Sequence, residues 1–469
     1  MDIFLCVFAA VVFVLIWMSM IYFMIYFQHP SDVNNATFPK IMIVLGLSIA
    51  VGNVLMLPLD VAQRASHSGG IPMDYLWLCV FCLVALLTII ILPFSIFYYE
   101  ADDGDRQIGQ CCEALKVTVI VVLVVAGLFT LGYLFLGFSD LPVYEISSHL
   151  LPGDSLSSCS VGQCGTPHSQ SYISFPLSPV TFLITTLSVI GWIIFVIFGG
   201  IGLVALPLDL INAFRERPNP IDEKTYKERM IKIGEKAEEL IKDGMKLQDR
   251  KSKVKRKDKN HWKKEVLLLA DAYDMNEVAF KLRGGPTIVY IAKLILGIFG
   301  VILSILWIVQ ICVWTNTYTY PFINFLFIVM DGVWQFFGVL FFGVFAYWLL
   351  WCVIAGNYKW GLRVPFFFTI HPMKPNETVV SSMLVNTLFI LLASVAATHL
   401  CAESFSEYAR ITSVNTIFNV ALKNLRGLYW FWYVIKWVLI GIAGLAAIFF
   451  MFKPSDRNNK MYNRAQARH

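Results

Sequence analysis

Asp331 within 321–355 and Lys436 within 429–452 are charged side chains set well inside long apolar runs. A charge in hydrocarbon costs about 2.5–3.5 kcal/mol on insertion scales, so each is a candidate functional group. Counted from the same membrane face the two sit at similar depth, which permits an ion pair beside a water-filled cavity. Asn53, Gln310, Gln335, Asn386 and His399 add further polar character to the apolar runs. Two chemistries fit this set. One is a polar pathway or ligand pocket around Asp331, Gln335, Asn386 and Lys436; the other is pairing across helices that locks a bundle. Lys293 lies near a run end and is expected to snorkel.

Nothing in the chain supports hydrolysis or group transfer. H-E-x-x-H, G-x-x-x-x-G-K-[ST] and G-x-S-x-G are all absent, so no enzymatic activity and no cofactor are expected. The ten cysteines form no Cys/His array with zinc spacing. Cys159 and Cys164 stand close enough to close a small disulfide ring in an oxidising lumen, or remain two free thiols. Cys111 and Cys112 precede an apolar run, a position suited to S-palmitoylation, although such cysteines are often unmodified.

The elements that must position these residues are membrane helices. Of 469 residues, 57% are hydrophobic and 15% charged, both shifted from soluble domains toward a membrane protein. A spanning helix needs about 20 mostly apolar residues. The runs 4–27, 41–59, 75–99, 115–138, 180–214, 286–314, 321–355, 379–401 and 429–452 each meet that length. The expected fold is therefore an all-α, polytopic membrane helical bundle of about nine transmembrane helices with a cytosolic helical hairpin. Runs 180–214 and 321–355 exceed one span, which tilt, a kink, a projecting helix or a re-entrant stretch would each explain.

Lys and Arg near the run ends set the orientation. The segment 139–178 has neither residue, whereas 215–283, 358–374 and the tail beyond 452 are rich in them. The N-terminus is then outside and the C-terminus cytosolic, with Arg410, Lys423 and Arg426 running against the trend. The first run lacks a basic flank and a cleavage site, and reads as an anchor rather than a signal peptide. The sequons at Asn35 and Asn376 fall on the cytosolic side and are expected to stay unglycosylated. The organisation is an N-terminal bundle over 1–214 with an outer loop at 139–178, a basic hairpin over 215–285, a C-terminal bundle over 286–452, and a tail over 453–469.

Within 215–285, Tyr226, Met230, Ile233, Ala237, Leu240 and Leu247 fall at three- and four-residue spacing. Trp262, Val266, Leu269, Tyr273, Asn276 and Phe280 repeat the pattern after a basic turn. The hairpin is a solvated spacer, or its tip (Lys251, Lys253, Lys255, Arg256, Lys257 and Lys259) meets anionic lipid or an acidic partner. No aromatic platform accompanies the basic run, so nucleic acid is not an expected partner. Leu57-Pro58-Leu59-Asp60 recurs as Leu206-Pro207-Leu208-Asp209 three spans later. An inverted repeat would place the copies at opposite faces; coincidence, or Pro and Asp terminating two helices, is the blander account. Gly199, Gly200 and Gly202 suit close helix approach.

The order of further landmarks resembles the LIMR family, the lipocalin-interacting-membrane-receptor-like proteins with their lysosomal cobalamin transporter-like branch. The landmarks are Gln28-His29-Pro30, Phe38-Pro39-Lys40, Leu55 to Ala62, Phe97-Tyr98-Tyr99-Glu100, Phe198 to Gly202, Leu206-Pro207-Leu208, Ile370-His371-Pro372-Met373-Lys374 and Leu425-Arg426-Gly427. The chain is most similar to compact plant- and protist-type members. The resemblance implies about nine helices, an outer N-terminus and a plasma-membrane or endolysosomal address. It transfers no catalytic residue. Three functions compete: a receptor or trafficking adaptor for ligand uptake, with an outer ligand and a cytosolic adaptor; a transporter of a small, vitamin- or metabolite-like molecule; and a structural subunit of a membrane assembly.

Overall fold

The computed structural model describes residues 2–33, 36–63, 72–101, 107–148, 165–215, 217, 219–249, 256–281, 287–316, 322–334, 336–359, 363–364, 368–369, 378–410 and 412–452. Helices dominate: α1 (Asp2–Phe27), α2 (Thr37–Gln63), α3 (Met73–Leu86), α4 (Leu92–Glu100) and α5 (Gln107–Leu136). An antiparallel ribbon, β1 (Phe138–Ser148) with β2 (Gly165–Pro176), then leads into α6 (Pro179–Arg215). Next come α7 (Glu223–Asp249), α8 (Arg256–Lys281), α9 (Thr287–Asn316), α10 (Phe322–Val333) and α11 (Phe337–Lys359). After the two-residue strands β3 (Arg363–Val364) and β4 (Phe368–Thr369) follow α12 (Val380–Ser404), the single turn α13 (Ser413–Asn415) and α14 (Tyr429–Phe452).

Among the described residues, nine helical stretches are long and apolar enough to cross a membrane. One is composite. α3 passes into α4 through a π-turn at Leu87–Ile91, just before Pro93. Proline lacks the N–H that would bond one turn back, and its ring crowds that carbonyl. The wider π register accommodates both, and the Thr88 hydroxyl donates to the Val84 carbonyl at 2.7 Å.

The two over-long runs resolve differently. Run 180–214 is one continuous helix, α6, with Pro207 inside it. Run 321–355 is two helices rather than one, α10 ending at Val333 and α11 beginning at Phe337, and α10 folds back against α11: Phe327 meets Phe342 at 6.1 Å and Phe345 at 5.5 Å between ring centroids. Gly338 makes this return possible, because a Cβ there would stand 2.6 Å from the Phe327 carbonyl oxygen. Segment 139–178, read from sequence only as a loop, carries the β ribbon, with a register irregularity at Glu145/Ile146.

The chain divides into two compact units. The first, 1–205 with 303–446, holds the core. In it α12 is enclosed over nearly its whole length and packs on α2, α4, α6 and α11. α6 approaches its neighbours backbone to backbone: a Cβ on Gly202 would stand 1.7 Å from the Cys352 carbonyl oxygen, and one on Gly191 2.2 Å from that of Leu392. α1 and α5 lie at the periphery and turn Val11, Leu15, Met18, Leu123, Leu128 and Phe135 outward. In water that surface would aggregate; against acyl chains it is matched to its solvent.

The second unit, 206–302 with 447–469, contains α7 and α8. They pair antiparallel, with the Tyr226 and Phe280 rings stacked at 4.3 Å and Trp262 Nε1 donating to the Leu240 carbonyl at 2.8 Å. The seam takes Leu240, Asn276 and Ala279, while Val266 and Tyr273, placed in the stripe by spacing, lie on the exposed flank of α8.

Candidate functional site

The densest polar cluster gathers where α12 ends. A helix leaves its last carbonyls without partners, and inside an apolar bundle no water substitutes. Three carboxamides supply the missing donors. Asn419 Nδ2 donates to the Ala402 carbonyl at 3.0 Å, and Gln310 Nε2 donates to that of Ser404 at 2.8 Å. Asn324 Nδ2 reaches the Ser404 carbonyl at 3.4 Å. Gln310, read from sequence as a polar group in a span, therefore caps a neighbouring helix.

Beside the capped end, Lys436 of α14 donates from Nζ to Glu403 Oε1 at 2.5 Å, with both residues almost fully buried. The pairing expected between Asp331 and Lys436 does not form. Asp331 accepts instead from the Tyr408 hydroxyl at 2.8 Å, within a ring cluster of Phe327, Phe342, Phe405 and Tyr408. α10 carries Asp331 toward the turn after α12. Lys436 faces the last turn of α12 itself.

One turn before Glu403 stands His399. Its Nδ1 accepts from Trp192 Nε1 at 3.1 Å and lies 2.9 Å from the Ser188 hydroxyl. An Nδ1 that accepts from an indole N–H carries no proton, so the neutral ring is protonated on Nε2. The ring stacks on Phe418 at 4.7 Å and meets the Trp432 edge at 4.6 Å. Ser188, Trp192, His399, Glu403 and Lys436 thus form a polar string through α6, α12 and α14. Sequence reading ended the span at 401, which left Glu403 in the outer loop; the signal was its four-residue spacing from His399.

The residues of the repeated Leu-Pro-Leu-Asp sequence have separate fates. Pro58 lies within α2, and Asp60 near its end accepts from Trp77 Nε1 at 2.7 Å and from the Val414 backbone N–H at 3.1 Å. A carboxylate at the start of α13 suits the N–H groups that open a helix. Asp60 is therefore a clasp between α2, α3 and α13. Pro207 and Asp209 lie within α6 in the second unit. Asn53 Nδ2 clips α2 to α12 through Ser394 and Thr398, at 3.2 and 3.3 Å. Asn386 is fully enclosed on α12.

Two further junctions close the ends of the bundle. At one, Asp32 accepts from the Val380 N–H at 3.2 Å, capping the start of α12, and from the Tyr99 hydroxyl at 3.2 Å. Lys40 Nζ donates to the Asp32 and Val33 carbonyls. At the other end, Arg426 grips Asp140 with two bonds of 2.9 and 3.1 Å. The backbone completes this dock: Arg426 N donates to Phe138 O, and Asp140 N to Asn424 O. Asp140 holds the Arg426 guanidinium above its ordinary value. Gly427, with φ of 81°, makes the turn that follows.

Cys111 and Cys112 are exposed in the first turns of α5. Gln335, His371, Pro372, Cys159, Cys164, Lys251, Lys253 and Lys255 lie outside the described residues. Arg256, Lys257 and Lys259 fall in the first turn of α8. Among the described residues no group of three His, Cys, Asp or Glu side chains is placed to hold a metal ion.

The family model for LMBR1-like membrane proteins matches residues 5–283. A LIMR family protein of Dictyostelium discoideum is 36% identical, covering 97% of this chain and 98% of its own length. A LIMR family protein of Arabidopsis thaliana is 34% identical over 96% of this chain and 95% of its own. One of Oryza sativa subsp. japonica is 35% identical, covering 90% of each chain. No solved structure matches. The junctions at Asp32 and Arg426, the Asp60 clasp and the close helix approach at Gly202 fall in or beside the landmarks that carried the resemblance, and with these matches the chain belongs to the LMBR1-like, or LIMR, family of multi-pass membrane proteins.

Proposed function

We propose that the protein is a receptor or trafficking adaptor for ligand uptake, with no catalytic chemistry of its own, working through its extramembrane hairpins. The observation that carries this reading is a contrast in what the polar and apolar groups are doing. Within the bundle Lys436 is bound by Glu403 and Asp331 by Tyr408. On α7, by contrast, Ile231, Ile241 and Met245 are each more than half exposed, and a Cβ on Gly234 would meet nothing. At about 100° per residue these positions share one flank of α7, and Val266, Ala270 and Tyr273 share one flank of α8. With the seam fixed by Tyr226, Leu240, Trp262 and Phe280, both flanks belong to one broad face of the hairpin. An apolar face rimmed by Lys and Glu is a surface for a protein partner, here a cytosolic adaptor.

The orientation that accompanies this reading puts α7 and α8, with their basic connection, in the cytosol and the β ribbon outside or in a lumen. The Asp140–Arg426 pair supports it, since it joins the two segments read as outer and neutralises one of the charges running against the trend. The address is the plasma membrane or an endolysosomal membrane. Exposed Cys111 and Cys112 then face the cytosolic leaflet, within reach of palmitoylation. Replacing 223–281 by a flexible linker tests the reading. Loss of internalisation and of adaptor pull-down at normal surface level supports it; unchanged values for both overturn it.

Transport of a small molecule is the second reading, favoured by Glu403 Oε2, a buried carboxylate oxygen with no hydrogen-bond partner beside Lys436. Purified protein in liposomes showing uptake from a metabolite panel, lost in Glu403→Gln, would raise it above the first.

A further inference from the structure

Two side chains in the first unit do nothing that the bundle requires. Asn357, near the end of α11, and Asn386, on α12, are both fully enclosed. In each, neither the carboxamide oxygen nor the nitrogen has a hydrogen-bond partner. Native cores match nearly all such groups, so four unmatched amide atoms at one level need a cause.

They are at one level. A Cβ on Gly356 would stand 1.9 Å from the Phe198 carbonyl oxygen, and the Phe198 ring lies 6.2 Å from that of Phe389. Since α11 and α12 run antiparallel, Asn357 and Asn386 differ in height by no more than about one helical turn.

They also converge. α12 turns Thr387, Ser394 and Thr398 toward α2, and Leu392, Ala396 and His399 toward α6. The flank left between them, bearing Asn386, Ala393 and Ala397, is the one open to α11, which packs on α12 and touches both α6 and α2. On α11, Cys352 and Gly356 face α6 and Gly343 faces Pro58 of α2. Asn357 is thereby placed on the side turned to α12 and α2. Ala393 and Ala397 add no polar group, so a molecule gripped here is recognised by the two amides.

Their chemistry defines the occupant. Two carboxamides present two acceptor oxygens and two donor NH2 groups, with no net charge. A cation would satisfy only the oxygens, and an anion only the nitrogens. We propose that Asn357 and Asn386 form a binding site at the α11–α12 interface for a small uncharged molecule that both donates and accepts hydrogen bonds. Water is the smallest member of that class, and a hydroxyl- or amide-bearing solute a larger one. The site needs neither hairpin, so it stands apart from the receptor reading.

The experiment is a structure of the full chain in lipid nanodiscs at a resolution that shows ordered water, with melting temperatures for Asn357→Leu, Asn386→Leu and the double variant. Density within hydrogen-bond reach of both amides is expected. A sphere identifies water; an extended shape identifies a co-purified solute, which mass spectrometry of the denatured protein then names. Either result supports the site. The double variant should lose the density and melt roughly 2–4 °C lower. Density that shows the amides bonded to each other or to backbone, with nothing between, overturns the proposal. So does a double variant that melts at or above the wild type, the behaviour expected when two idle buried amides are replaced by isosteric apolar groups. If the double variant does not fold, the wild-type density decides alone.

Discussion

The polar residues around the end of α12 and those along α7 obey opposite rules. Lys436 and Glu403 come from two different helices and meet at 6 and 5% exposure. On α7, Lys227 pairs with Glu223, Lys236 with Glu239 and Lys246 with Asp243, all within one turn and all largely in solvent. In the first region every charge must find a partner or neutralise, because desolvation is severe. In the second, water solvates either charge alone and the pair adds little. Buried pairs therefore fix which helices are neighbours, whereas exposed ones decorate a helix formed for other reasons.

The largest effect that would break this contrast lies at the buried pair. Lys436→Met should destabilise the protein by about 3–5 kcal/mol, since it strands the Glu403 carboxylate among apolar side chains. Lys436→Met with Glu403→Gln should recover most of that loss, because no buried charge remains. Detergent-solubilised melting curves of the two variants check this. Equal melting of the single variant and the wild type would mean that water reaches Glu403, and the bundle would be wetter than its packing indicates. Next comes Gly356→Ala. The added methyl must displace the Phe198 carbonyl, and overpacking of this kind costs about 1–3 kcal/mol.

Legibility in the sequence divides along the same line. The nine spans were readable because run length alone betrays a membrane helix, and α7 and α8 because three- and four-residue spacing is local. Partners were not. Asp331 and Lys436 look like a pair at equal depth, yet choosing between Glu403 and Asp331 requires knowing that α10 folds back. No proline marks that break; it rests on the small size of Gly338. The role of Asp60 was half visible, since a helix-ending Asp is expected to cap something, but the capped helix lies some 350 residues away in the chain, at Val414. The β ribbon escaped notice because segment 139–178 is rich in Ser, Gly and Pro and lacks a clean alternating pattern.

A smaller effect sharpens the hairpin side. Trp262→Phe keeps the ring in the seam but deletes the bond to the Leu240 carbonyl, a loss of about 0.5–1.5 kcal/mol. Hydrogen exchange should register it in α7 and α8 and leave α12 unchanged.

The smallest expected effect is also the most informative about partners. Exchanging Lys236 with Glu239, so that each charge takes the other's place, preserves composition and leaves the pair in solvent. The purified protein should melt within about 1 °C of the wild type, and less difference still should survive at high salt. The same exchange examined in cells measures something else. If internalisation falls while the melting curve does not move, those two side chains are buried by a partner that the purified chain lacks, and the hairpin's exposed charges belong to the first rule rather than the second. If neither changes, the adaptor contact is confined to the apolar flank of Ile231, Ile241 and Met245, and the charges on that part of α7 serve solubility alone.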